Sequence, residues 1–308
     1  MIPILQSRPD SLILLLIEMS MIDTPQSQGN RSSILLLDGA TGSQLERAGV
    51  DISLPLWSAR ALIDAPDLLQ HVHQSYLQHG ADAITTNTFR THARSLAKAG
   101  IAEQAGDLTR RAVDIAQQAR AEVNSDAKIF GSVAPLEDCY RPELAPDAKS
   151  CFAEHRACIQ CLVEAGVDMI LIETMCSAHE ALAAAESARA CAPHAWGISF
   201  CLHDDSTLLD GTPLDQIVPQ LMDAAFIGVN CVGAPQLGAH LNGLRAALDR
   251  AAQDADVVPQ MAAYGNVGYA DPQGAWVSTD AVAPEAFAQY AMGWVDAGAQ
   301  IIGGCCGT

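Results

Sequence analysis

Eight short apolar runs recur along this chain, each separated from the next by a longer amphipathic stretch. The runs cover residues 34–40 (ILLLDGA), 83–88 (AITTNT), 128–133 (KIFGSV), 168–173 (DMILIE), 196–202 (WGISFCL), 226–231 (FIGVNC), 257–263 (VVPQMAA) and 300–304 (QIIGG). Nearly continuous apolar runs of this length predict parallel strands covered on both faces, since a face in water would impose alternation with polar residues. The stretches 67–79, 101–122, 149–165, 178–191, 212–223, 234–253 and 283–297 are rich in Ala and Leu, with apolar residues three and four apart, and predict helices. Three of them close on Gly80, Gly166 and Gly298, suited to the left-handed residue that ends a helix. Eight strands in strict alternation with helices predict an α/β fold, a single (β/α)8 TIM barrel over 34–308. The rival is a doubly wound open sheet, but no G-x-G-x-x-G follows the first strand.

Both ends of the chain depart from that pattern. Residues 1–33 read as an N-terminal extension of uncertain structure, with Met19 and Met21 as alternative starts. Its apolar run 12–17 (LILLLI) is too short to span a bilayer and is followed by Glu18, which argues against a membrane or targeting role. At the other end the eighth strand runs into GGCCGT, so the eighth helix is expected to be missing. The N-terminal apolar segment is one candidate to cover the surface so exposed, and a truncated C-terminus is the alternative.

Charge narrows the partners. With 17 Lys plus Arg against 36 Asp plus Glu, the formal net charge is −19, which excludes a nucleic-acid partner and suits a small cationic ligand. Ten cysteines in a chain long enough to build its own core fit a reduced, cytoplasmic protein better than a disulfide scaffold. Small-molecule substrates are the expected partners, and a homo-oligomer remains open.

In such a barrel the strands' C-terminal ends carry the active site. Those ends hold Asp38 and Gly39; Thr85 to Phe89; Glu173 and Thr174; Asn230 and Cys231; and Cys305 and Cys306 between glycines. Cys231, Cys305 and Cys306 read as a metal site, because three thiolates suit Zn²⁺ with a fourth position left for substrate. Gly303, Gly304 and Gly307 give the backbone freedom to turn adjacent cysteines toward one ion. A vicinal disulfide, or two buried thiols, is the alternative. A three-thiolate site favours alkylation of a thiol substrate, whereas peptide hydrolysis would prefer His and carboxylate ligands with a general base.

At these residues the sequence resembles the homocysteine S-methyltransferases, which include betaine– and S-methylmethionine–homocysteine methyltransferases and the homocysteine module of cobalamin methionine synthase. The resemblance spans roughly 34–308 and is carried by DGATGSQLERAG (38–49), PLWSA (55–59), GADAITTNTF (80–89), LIETM (171–175), GVNC (228–231) and IIGGCCGT (301–308). It implies a zinc-bearing (β/α)8 barrel that methylates the homocysteine thiol to give methionine. Cys231, Cys305 and Cys306 match the zinc ligands. Asp38 and Glu173 match carboxylates near the homocysteine ammonium, and the amides after Asp38, at Gly39 and Ala40, match its carboxylate cradle. Trp57 matches a donor-side tryptophan, and Thr85 and Asn230, polar residues at the strand ends, are added as substrate-side candidates from their position alone. Each has a plainer alternative: a helix cap near Thr41 for Asp38, an ion pair at the mouth for Glu173, packing for Trp57, and backbone satisfaction at strand ends for Thr85 and Asn230.

The departures from the family fall on the donor side. The betaine enzymes carry tyrosines where this chain has Arg90 and Thr174, and the segments after the third and seventh strands are GSVAPLEDCYRPE (131–143) and AYGNVG (263–268) in place of GPLAPYG-like and PNAG-like sequences. A sulfonium such as S-methylmethionine is the first choice of donor, because a neutral thioether leaves more readily than an amine. Methyl transfer from a separate corrinoid protein, and a non-catalytic zinc- or thiol-binding barrel, are the alternatives.

Overall fold

The protein is described by a computed structural model covering residues 34–254, 257–270 and 276–308. The reading of 1–33 therefore lies outside the described residues. Eight parallel strands are β1 (Leu35–Leu36), β2 (Ala83–Thr85), β3 (Lys128–Val133), β4 (Met169–Met175), β5 (Trp196–Phe200), β6 (Phe226–Gly233), β7 (Gln260–Asn266) and β10 (Ile301–Gly304). They run in the order β1-β10-β7-β6-β5-β4-β3-β2. A parallel bridge between Leu37 and Ala83 joins the two ends, helped by Asp38 N–H donating to the Ala83 carbonyl at 3.0 Å and Asp82 N–H to that of Leu36 at 2.8 Å. The expected TIM barrel is thus the observed fold.

Burial on both faces explains the apolar runs. Leu37, Phe130, Leu171, Phe226, Tyr264 and Ile301 fill the barrel interior, with the Phe130 and Phe226 rings stacked at 6.1 Å. The opposite faces of the strands pack on the helices. Ile170, Ile172, Ile198 and Ile227 lie in one outer cluster with Leu241 and Trp294, and Ile84 and Ile129 in another with Leu69 and Val113's neighbours Ala112 and Ala116. The three helix-ending glycines take the predicted left-handed conformation, with φ of 93° at Gly80, 89° at Gly166 and 96° at Gly298.

Some elements differ from expectation. The stretch 212–223 yields only the turn of helix Leu214–Ile217 and a 3-10 turn Val218–Gln220, since Pro219 supplies no N–H to continue an α-helix. An antiparallel pair, β8 (Gly268–Ala270) with β9 (Trp276–Ser278), follows β7. Among the described residues no helix follows β10. Residues 305–308 instead turn onto the helix Thr41–Arg47, where Gly307 N–H donates to Ser43 Oγ and Arg47 to the Gly307 carbonyl. No helix among the described residues is long and apolar enough to cross a membrane.

Candidate active site at the barrel mouth

Two irregular strand ends set the geometry of the mouth. The β4–β5 register shifts between Ile172 and Met175, and the β6–β7 register between Asn230 and Gly233. At these bulges Thr174 and Cys231 adopt φ of 60° and 57°, a region that side-chain-bearing residues rarely enter. A bulge re-aims the residues beside it, here Glu173 and Cys231, into the mouth. Asn230 locks the two bulges together. Its Oδ1 accepts from Thr174 N–H and from Ser199 Oγ, both at 3.0 Å, and its Nδ2 donates to Thr174 Oγ1 at 2.8 Å. Asn230 is fully buried and lies outside the cavity lining, so the structure places it behind the site, holding Thr174.

The cysteine triad comes together as the sequence predicts. Sγ atoms of Cys231, Cys305 and Cys306 all lie within 4.8 Å of one another, with Cys231 and Cys305 at 3.1 Å. No disulfide links any of the ten cysteines in this structure. A tetrahedral ion with metal–sulfur bonds of about 2.3 Å holds its sulfurs about 3.8 Å apart, so the three thiols fit one ion with small shifts. Two backbone bonds hold the tight turn between β10 and Thr308: Cys305 N–H to the Gly265 carbonyl at 2.8 Å and Cys306 N–H to Asn266 Oδ1 at 3.0 Å. Gly307 sits at φ 88°, and a side chain on Gly304 would lie 2.3 Å from Thr308 Oγ1. Hydrogen bonds from Cys231 and Cys305 hold the Cys306 thiol well below its ordinary range, while those same contacts raise Cys305. One thiol of the three is thus set to lose its proton, while Cys231 and Cys305 are held protonated and would need a cation to release theirs.

The carboxylates flank this cluster. Asp38 is not a helix cap: the helix Thr41–Arg47 has Ala40 at its cap with no side-chain bond. Its carboxylate instead accepts from Thr85 N–H at 2.8 Å and from Thr85 Oγ1 at 3.1 Å. Glu173 forms no ion pair among the described residues; it accepts from Ser132 Oγ and lies beside the Tyr264 hydroxyl. Burial pushes Asp38 up to about 8, against the Thr85 bonds and with Glu173 adding to the rise. Burial also raises Glu173 to about 7, with Cys231 contributing. Two buried acids side by side without a cation are what an ammonium ligand would relieve.

These groups line one cavity of about 480 Å³, which also receives Trp57, Arg90, Cys139 and Tyr140. Trp57, at φ 48°, packs edge-on to Phe89 at 5.3 Å. Its indole lies against the start of the helix Thr41–Arg47, where a side chain on Gly42 would come within 2.7 Å of it. The Trp57 turn is tied to the end of β2 by Ser58 Oγ donating to Asn87 Oδ1 and by Asn87 Nδ2 donating to the Ser58 carbonyl. Gly39 and Ala40 line the cavity too, but the Ala40 amide donates to Thr308 Oγ1. The amides of Thr41, Gly42 and Ser43 precede the first backbone bond of the helix, Gln44 N–H to the Ala40 carbonyl, and Thr41 Oγ1 is buried without a partner among the described residues. Of the two amides in the sequence reading, that of Ala40 is engaged within the chain, and those of Thr41 to Ser43 follow it.

Sequence reasoning passed over Thr41, Ser132, Cys139, Tyr140 and Tyr264. Ser132 and Tyr264 sit on strands at positions facing Glu173, a signal the strand alternation carried. Tyr140, whose hydroxyl faces Cys231, lies in a loop segment with no such period.

A family model described as Homocysteine S-methyltransferase matches residues 35–308. The chain is 32% identical over 301 residues to the homocysteine S-methyltransferase of Escherichia coli K12, covering 91% of this chain and 93% of that protein. It is 29% identical to a selenocysteine methyltransferase of Astragalus bisulcatus, covering 91% and 90%. The crystal structure of the E. coli homocysteine methyltransferase MmuM in its metallated form superposes with a TM-score of 0.76 at 30% identity, over 90% of this chain and 93% of that one.

Proposed function

The chain belongs to the homocysteine S-methyltransferase family, a group of methyltransferases, and we propose that it moves a methyl group from a sulfonium or ammonium donor to the thiol of homocysteine, giving methionine. The convergence of Cys231, Cys305 and Cys306 beside two buried acids carries this reading. Those three thiols would hold Zn²⁺, which keeps a substrate sulfur deprotonated at neutral pH yet electron-rich, because three protein thiolates already outweigh its charge.

The residues of the chain do the rest. Asp38 and Glu173 receive the amino acid's ammonium, which removes the cost of burying their charges together. The unpaired first-turn amides and Thr41 Oγ1 receive its carboxylate. With both ends of the amino acid fixed, its sulfur is aimed at the space in front of the triad, and the walls around Trp57 confine the donor to one line of approach. Sulfur lone-pair electrons form the new S–CH3 bond as the donor's onium–CH3 bond breaks, and the donor leaves as a neutral thioether or amine. No general base beyond deprotonation by the metal would be needed. S-methylmethionine is the first choice of donor, since the thioether is the better leaving group, and the barrel over 34–308 would constitute the whole homocysteine-binding domain. The selenocysteine methyltransferase among the relatives favours a second acceptor, a selenol.

Zinc-loaded protein, kept reduced and given homocysteine with S-methylmethionine, is expected to yield methionine; L-selenocysteine in place of homocysteine tests the second acceptor. No methionine with any onium or methyl-corrinoid donor would refute the reading.

A further inference from the structure

Arg90 extends from the loop that follows β2 into the same cavity as the triad, yet nothing in the acceptor side uses it. Its guanidinium carbon stands 5.3 Å from the centroid of the Phe89 ring, and Phe89 in turn meets Trp57 edge-on. One N–H group, on Nη1, donates to the Glu137 carbonyl at 2.9 Å. The neighbouring carboxylates are engaged elsewhere. Glu137 pairs with Lys98 and, at 3.4 Å, with Arg94, while Glu154 pairs with Arg94 at 2.5 Å. Two acids thus balance two bases, and among the described residues no carboxylate lies within 4 Å of Arg90. A half-buried guanidinium with most of its five N–H groups uncommitted, clamped on an aromatic face and opening on a cavity, is built to receive a planar anion.

The cavity accordingly carries opposite charge on two of its sides. Asp38, Glu173 and the triad make one side acidic, and Arg90 makes another side cationic. We propose that Arg90 anchors the carboxylate of the methyl donor, so that this site takes onium donors that carry a carboxylate and discriminates against those that do not. This rests on the reading of the acceptor side given above. The donor's carboxylate pairs with the guanidinium, and its onium centre lies over the Trp57 ring toward the acceptor sulfur. The transferred group is the methyl alone; the thioether that leaves still carries its carboxylate, so Arg90 keeps its partner until product departs. The charge of Arg90 also disfavours a bare cation, which has nothing to offset repulsion from the guanidinium.

The test compares S-methylmethionine with its carboxamide, identical in the reacting centre and lacking the anion. The parent protein is expected to prefer the carboxylate about a hundredfold in kcat/KM for donor. Arg90→Gln is expected to lower that preference to about threefold or less through donor KM, with homocysteine KM and zinc content unchanged. Arg90→Lys is expected to keep an intermediate preference, since a point charge replaces a bidentate fork, and it carries the test if the glutamine variant does not fold. A parent enzyme indifferent to the carboxamide, or a preference that survives in both variants, overturns the assignment of Arg90 while leaving homocysteine methylation intact. Failure to methylate homocysteine with every methyl source overturns both.

Discussion

Replacing Cys305 with serine is expected to remove the bound ion and to lower methyl transfer roughly a thousandfold. Two effects combine. A free thiol of pKa about 8.5 is only a few per cent thiolate at pH 7, so an acceptor that loses its cation loses most of its nucleophile. The remainder is no longer held in line with the donor, and misplacement of a reacting atom by about 1 Å alone costs on the order of a hundredfold. Serine keeps the size of the side chain but does not deprotonate to bind zinc at neutral pH. The backbone bonds of the turn, from Cys305 N–H to Gly265 and from Cys306 N–H to Asn266, do not involve the sulfur, so the fold should persist. Zinc content by elemental analysis and methionine formation by chromatography check this together. Cys191→Ser, at the end of the helix Ala178–Cys191 and away from the cavity, should keep both. A Cys305→Ser protein with full zinc and full activity would contradict the assignment.

The buried acids give the second large effect. Glu173→Gln is expected to raise homocysteine KM by about tenfold to a hundredfold, the worth of one charge-assisted contact of about 1.5–3 kcal/mol, with donor KM little changed. Asp38 adds a pH signature in the protein without substrate. Its carboxyl is raised from 3.8 to about 8, so between those values the native state binds a proton that the unfolded chain has released. Stability then falls as pH rises, and the native state has lost this contribution once pH passes about 8. Asp38→Asn removes the dependence. Its melting temperature relative to the parent should climb between pH 5 and pH 8, by the equivalent of a few kcal/mol at the upper end. It should bind homocysteine more weakly at every pH. Thermal melts across that range decide the matter: a constant difference between variant and parent would show that Asp38 carries no buried charge.

How far the sequence reaches can be judged from particular elements. β3 and the helix Ala178–Cys191 have the predicted bounds, because nothing competes with the apolar period there. β2 stops at Thr85, short of the apolar run, because the Asp38 carboxylate takes the Thr85 amide. β4 and β6 run two residues past their predicted ends through bulges in which Thr174 and Cys231 take positive φ. Neither residue type announces such a conformation, and the cause is tertiary: Asn230, itself silent as to its partner, satisfies the Thr174 backbone from the neighbouring wall. The triad, Asp38, Thr85 and Glu173 were legible because strand ends of a barrel face one mouth, whereas Trp57, in a 3-10 turn, was read only from the resemblance of PLWSA. Asn230 was read from the same rule but points behind the cavity, since the bulge turns its neighbour inward instead. The wall around Tyr140 and Cys139 showed in the sequence only as the departing segment 131–143, because loops carry no period to place single side chains, and Arg90 was visible as an oddity of charge whose freedom from a counter-ion only the structure reveals.

X-ray absorption at the zinc edge tests the central claim most directly. Protein loaded with zinc under reducing conditions should show three sulfur neighbours at about 2.3 Å and a fourth, lighter atom. Adding homocysteine should replace the lighter atom with a fourth sulfur at the same distance. Two sulfurs or fewer before addition, or an unchanged spectrum after it, would contradict the account.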